Sequence, residues 1–334
     1  MGDIVRTILT IGVGIGAFVG VLLIIYASTN LLPVRFRTGG QIAVFLGPVL
    51  LLLVVGLALP ALQSIFLSVV RDPQLPAGSR GFLANYRYIL GDRAERHAVI
   101  NSVLWVLGGG TLSTIFGLTI ARYTDGMKGE SIVKSLIFIP VSLSLAGAGI
   151  IWKFVYDGPP FNYGLLNAIT KIIPGLPDSV GGDGQRSWVL ESGLSINTLL
   201  LIIVLIWVQT GFAVIVLSAA IKGVPDSLEE AARVDGATNN QIFYKITLPY
   251  IRPALLTVIT TGTIASLKAF DIVQAVTGGR FNTSTIANEY YDNFSVQNRD
   301  NVAAALGVIL FLLVIPVVFM NSRGQKQAQE MTGG

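Results

Sequence analysis

The stretch PDSLEEAARVDGATNNQIFYKITLPYIRP, residues 225–253, decides how this chain is read. It lies between two long apolar segments and is polar yet rich in helix formers. Ser227 and Glu230 have the S-x-x-E spacing of a capping box, which predicts a helix starting at about Leu228. Asp226, Glu229 and Glu230 fall in its first turn, where the helix dipole favours negative charge. Ala231 and Ala232 keep one face small. After Asp235, Gly236 either turns the backbone or lets another surface approach closely. A second short helix is predicted over residues 239–246, ended by Leu248-Pro249. A small-faced helix between two membrane spans is suited to being gripped from outside the bilayer.

Composition supplies that context. The chain has 334 residues, 52% of them hydrophobic and 13% charged, with a mean hydropathy of +0.68. Soluble domains carry about 25% charged residues, so this is the balance of a polytopic membrane protein. The net charge of +4 is small and dispersed and gives no support to nucleic-acid binding. There are no cysteines, which excludes disulfides, thiolate chemistry and cysteine metal sites. The one histidine, His97, stands among charged residues and reads as a surface group. No Gly-Lys pair occurs, so the chain has no phosphate-binding P-loop of its own. No catalytic residue, metal site or cofactor is expected.

The apolar runs predict an all-α, polytopic transmembrane helical bundle of about seven spans, at roughly 4–32, 41–70, 98–123, 131–156, 195–221, 253–276 and 302–320. Gly12, Gly16 and Gly20 share one face of the first, a spacing that permits close helix contact. Four parts result: an extra N-terminal span and linker, 1–40; a second span and extracellular connector, 41–97; a core, 98–321, containing the loop 222–252; and a tail, 322–334. Lys and Arg are spread almost evenly over the two sets of connectors, so charge does not fix orientation.

Glu230-Ala231-Ala232, three residues, Gly236, nine residues, then Ile246-x-Leu248-Pro249 resembles the EAA loop of binding-protein-dependent ABC importers, EAA-x3-G-x9-I-x-L-P, with every fixed position filled. Shorter likenesses accompany it. They are the Asn85-Tyr86 pair, Asn101-Ser102 at the start of the third span, Gly164-x-x-Asn167, Trp207-x3-Gly211-Phe212, and Thr277-Gly278-Gly279, where Arg280 replaces the usual proline. The chain is similar to sugar permeases of the maltose/α-glucoside type, the longer partner of a heterodimeric pair, over about residues 83–321. The resemblance implies an ABC importer type I permease fold in the cell membrane of a prokaryote. It implies a second homologous permease subunit, an ATP-binding cassette ATPase dimer and an extracellular solute-binding lipoprotein, with membrane lipid around the spans. ATP hydrolysis then belongs to the partner ATPases. It assigns Glu229, Glu230, Ala231, Ala232, Asp235, Gly236, Ile246, Leu248 and Pro249 to coupling with an ATPase, on the cytoplasmic side.

Polar and small residues within the spans mark the expected solute pathway. These are Ser144, Trp207, Thr210, Gly211, Gly262, Ser266 and Ala269. Trp207 and Gly211 lie one turn apart, an aromatic platform beside a small gap. A sugar stacks on such a ring. A tryptophan packed at a helix interface or in the interfacial belt has the same sequence signature. The resemblance makes Ser266 a polar solute contact, whereas Ala269 lacks the polar side chain the family has there. Lys268 and Asp271 are read as an intramembrane ion pair, with a proton relay as the alternative. The function expected is the permease subunit of an ATP-driven importer of an oligosaccharide, an α-glucoside such as maltose or trehalose. Permeases for glycerol phosphate or a polyol, and an ion-coupled secondary carrier using Lys268 and Asp271, are the alternatives.

Overall fold

The computed structural model describes residues 2–29, 42, 46–76, 79–158, 164–175, 186–190, 196–267 and 269–332. It divides into two compact units, Met1–Phe66 and Leu67–Gly334. Every regular element among the described residues is helical.

The first unit holds α1 (Gly2–Thr29) and most of the apolar helix α2 (Leu46–Val69). Gly12, Gly16 and Gly20 have nothing within 4 Å of where a side chain would begin.

The second unit begins with α3 (Ala84–Gly91), then α4 (Arg93–Thr124). Asp92 caps α4, accepting from the amides of Ala94 and Glu95. Then come α5 (Glu130–Phe138), a 3-10 turn at Ile139–Ser142, α6 (Leu145–Tyr156) and α7 (Leu165–Ile172). The long apolar helix α8 (Ile196–Lys222) leads into α9 (Asp226–Val234) and α10 (Asn239–Tyr250). After these follow α11 (Arg252–Leu267), α12 (Phe270–Val276), α13 (Ile286–Tyr291) and α14 (Asp300–Thr332).

Three of these helices, α2, α4 and α8, are long and apolar enough to cross a membrane. The count is five if two bent pairs are each one span; α1 and α14 contribute shorter apolar stretches, Gly12–Leu23 and Asp300–Pro316. The fourth expected span is one of the bent pairs. Its halves, Glu130–Ser142 and Leu145–Tyr156, meet at 105°. Pro140 sits in the 3-10 turn, and Ser144 starts the new helix by accepting from the amide of Gly147. The sixth expected span is also interrupted: α11 ends at Leu267, and α12 restarts at Phe270. Hydropathy is blind to such breaks, because an apolar run scores alike whether straight or bent.

The core of this unit is built on close approach. α4 runs against α8 and α11, and glycines make the contact possible. A side chain started at Gly117 would lie 2.3 Å from the Ala213 methyl. One at Gly110 would lie 2.5 Å from Thr263 Oγ1 and 2.7 Å from the Thr263 amide nitrogen. Around Val106–Gly110 the helix widens into a π-type turn, and the hydroxyls of Ser113 and Thr114 bond the carbonyls of Gly109 and Gly110 at 2.6 and 2.7 Å. Trp105, Leu201, Leu205 and Ile272 are fully buried beside this crossing.

Gly110→Val places branched carbons against backbone that cannot retreat. The loss expected is about 1–3 kcal/mol of stability, read as a lower unfolding midpoint of the detergent-solubilised protein.

Candidate functional site

The helical bracket between α8 and α11 is assembled locally. Helix α9 starts two residues earlier than the S-x-x-E spacing predicts, at Asp226 with Pro225 as its N-cap, and no side chain caps it. Ser227 is already inside the helix, so its hydroxyl cannot take the capping position and the expected box does not form. Asp226 and Glu229 occupy the first turn; Glu230 lies just beyond it. Instead, the capping box is at Thr238 and Gln241, opening α10: the Gln241 amide donates to Thr238 Oγ1 at 3.4 Å, and the Thr238 amide donates to Gln241 Oε1 at 2.8 Å. Pro249 does not end the second helix. It follows a π-type turn at Phe243–Thr247, and the chain bends only at Ile251, by 68°.

Between the two helices Gly236 has φ +82°, with open space around it. Its amide bonds the carbonyl of Arg233 at 3.0 Å, and the amide of Ala237 bonds that of Ala232 at 2.9 Å. This is the left-handed glycine termination of a helix. Of the two roles open to Gly236 in the sequence, the backbone turn is the one visible within this chain.

The bracket presents Glu230, Ala231, Asp235 and Pro249 to the exterior, with Ala232, Ile246 and Leu248 half-buried. Ala232, Asp235, Gly236 and Ile246 also line a groove of about 400 Å³ with Ala237, Gln241, Ile242 and Lys245. Glu229 turns inward. It accepts from Arg233 at 3.3 Å and from the Thr247 hydroxyl at 3.4 Å, tying α9 to α10. Two apolar side chains overlooked in the sequence stand out on α9: Val234 is 87% exposed and Leu228 44%. Residue type gave no sign of them, since an apolar residue on a short amphipathic helix is ordinarily buried.

The expected pathway residues separate into groups. Trp207 and Thr210 line a cleft of about 620 Å³ between α4, α5, α6 and α8, with Phe116, Ile120, Pro140 and Trp152 among its walls. Trp152 stands edge-on to Trp207, with ring centroids 5.7 Å apart. The sequence reading missed Trp152, because its partner is more than fifty residues away and only the fold joins them. Among the described residues, no charged side chain lines the cleft. Gly211 does not open a gap beside Trp207, as the sequence suggested. The carbonyl of Ile137 and the side chain of Val141 fill that space, at 2.5 and 2.8 Å from where a side chain would begin. Gly262, Ser266 and Ala269 are buried in helix packing, with the Ser266 hydroxyl spent on the Gly262 carbonyl at 2.8 Å. Ser144 is exposed at the start of α6, and Asp271 is exposed on α12. Lys268 lies outside the described residues.

Apart from Trp207-x3-Gly211-Phe212, the shorter sequence likenesses lie elsewhere, and Asn101 is near the other end of α4. Asn101 Nδ2 donates to the carbonyls of Asn282 and Ser284 at 2.7 and 2.9 Å, and the Ser102 hydroxyl accepts from the amide of Ile286 at 2.9 Å. Phe281 and Asn282 have φ +58°, a conformation costly for residues with side chains. Asn101 and Asn197, which donates to the Phe281 carbonyl at 2.5 Å, hold them there. Asn85 donates to the carbonyls of Ser68 and Val70, and Asn167 to those of Asp157 and Arg186. Each of these asparagines secures irregular backbone where helices end.

Helices throughout the described residues, several of them long and apolar enough to cross a membrane, with one exposed helical bracket between two of them, give the architecture of a polytopic membrane protein. The fold agrees with what the comparisons find. The chain belongs to the family of binding-protein-dependent transport system inner membrane components, whose model matches residues 113–323. It is 39% identical over 303 residues to the alpha-glucoside transport system permease protein AglF of Rhizobium meliloti, covering 89% of this chain and 85% of that protein. It is also 39% identical over 292 residues to the osmoprotective compounds uptake permease protein GgtC of Synechocystis, covering 86% of this chain and 99% of that one. Among solved structures, a chain of a bacterial alginate ABC transporter in complex with an alginate pentasaccharide-bound periplasmic protein has a TM-score of 0.68 at 18% identity, over 88% of this chain and 96% of that chain.

Asn101→Ala removes both bonds from Asn101 to the left-handed loop. A loss of about 2–4 kcal/mol is expected, as two carbonyls lose a buried donor; limited proteolysis should then cut between residues 277 and 286 first.

Proposed function

We propose that this chain is a permease subunit of an ATP-driven sugar importer in a prokaryotic cell membrane. It forms half of the translocation pathway, and its loop 222–252 meets an ATPase subunit in the cytoplasm. The observation that carries this reading is the bracket itself. A turn at Gly236 joins two short helices that expose small side chains, Val234 and a groove, yet are tied to each other by Glu229. The open groove lined by small residues, with Val234 exposed on the preceding helix, gives a partner a surface to pack against. Family membership supplies the partner's class: an ATPase dimer, with a second homologous permease and an extracellular solute-binding lipoprotein completing the assembly. One exposed ion pair from Glu230 to the ATPase contributes about 1 kcal/mol or less, so packing at Ala231, Ala232 and Val234 carries the contact. The domain division given above, with a core of 98–321, belongs to this reading.

The solute reading is an oligosaccharide, an α-glucoside such as maltose or trehalose. The relative AglF and the two tryptophan rings on the cleft support it. The equal identity to GgtC favours a second reading, an osmoprotective compound. A glycerol phosphate has less support, because among the described residues no basic side chain lines the cleft to receive its phosphate. An ion-coupled carrier using Lys268 and Asp271 has less still, since the family is one of binding-protein-dependent systems.

Uptake by the assembled importer in proteoliposomes, with labelled α-glucosides and osmoprotective compounds offered in turn, tests the function. ATP-dependent accumulation of neither class refutes it. Gly236→Trp is expected to insert at wild-type level but to abolish uptake, since the groove is filled and the left-handed turn is strained. Trp207→Ala is expected to raise the KM for uptake by about tenfold, the loss of one stacking face.

A further inference from the structure

The bracket is held from the side as well as by the helices it joins. Arg122 lies in the last turn of α4. Its guanidinium donates to Asn240 Oδ1 at 2.5 Å. The same group lies over the Phe243 ring, 4.0 Å from its centroid, and 5.4 Å from that of Tyr244. A flat cation held in its plane by an amide oxygen and along its normal by an aromatic face is fixed in two directions. All three partners belong to α10, the second half of the bracket. Glu229 then ties that half to α9.

The other end of this connection reaches the cleft. Phe116 and Ile120 of α4 line it, and Arg122 stands two residues beyond Ile120 on the same helix. At a rise of about 1.5 Å per residue, Arg122 is about 9 Å along the axis from Phe116. The carbonyl-to-amide ladder of α4 makes that distance stiff.

We propose that Arg122 is a positioning residue that joins the bracket to α4. A displacement of the bracket by an ATPase then moves the α4 wall of the cleft together with α8 and α11. The sequence motif covers only the bracket, and nothing in it points to Arg122. The proposal rests on the reading of the bracket as the ATPase contact.

Two measurements on Arg122→Ala test it. The first is solute uptake per ATP hydrolysed by the assembled importer, with the amount of assembled complex measured alongside. A fall of about tenfold is expected while assembly stays within about twofold of wild type. Arg122→Lys keeps the charge but not the flat face and should fall in between. Adding Phe243→Leu to Arg122→Ala should cause little further loss, because the two side chains make one contact. The second is the mobility of a spin label at Lys245→Cys, unique because the chain has no cysteine, in the permease without ATPase. It should rise in Arg122→Ala. A wild-type value in either measurement, or a fall in uptake matched by a fall in assembled complex, overturns the proposal. Failure of the underlying reading is recognised separately, by Gly236→Trp retaining ATP-driven uptake.

Discussion

The close crossing of α4 with α8 and α11 is the constraint on which the Leu67–Gly334 unit depends. Apolar side chains gain little by leaving lipid for a helix interface, so association in a membrane rests on contact made at short range. Gly110 and Gly117 remove the side chains that would hold the helices apart, and the Thr263 and Ala213 atoms take their place. Beside the wide turn at Val106–Gly110, the hydroxyls of Ser113 and Thr114 bond back to the carbonyls of Gly109 and Gly110, so these polar groups are paired within the helix. One side of α4 is committed to packing by this crossing. Phe116 and Ile120 are left to face the cleft.

Both ends of this unit are built by polar groups, in different ways. At one end, asparagines fasten irregular backbone: Asn101 and Asn197 stabilise two left-handed residues that would otherwise be costly. At the other end, the bracket is stiff within itself, with a glycine termination, a capping box and the Glu229 bridge, yet it leaves Val234 and its groove uncovered. The bracket is thus tied together internally while part of its surface stays open. The Glu130, Lys134 and Lys222 cluster adds to this, because Lys222, the last residue of α8, pairs at 2.6 Å with Glu130 at the start of α5. Such pairs at half-exposed sites stabilise only weakly.

The sequence by itself determined the helical class, the family and the bracket. Composition excludes a soluble domain, and the spacing from Glu230 to Pro249 is local, so residue order alone reports it. Tertiary structure decided what depends on distant residues meeting. The S-x-x-E spacing at Ser227 does not become a capping box, because α9 begins before it, at Asp226, whereas Thr238 and Gln241 form one at the start of α10. The 105° break at Ser144 left no mark on hydropathy. Gly211 looked like a gap until α5 and the turn after it filled the space, and only the fold shows that the Ser266 hydroxyl donates to its own helix. Trp152 beside Trp207, and Arg122 beneath Phe243, exist only because α4, α6, α8 and α10 are brought together. Pairwise contacts over such separations have no periodicity for a sequence to display.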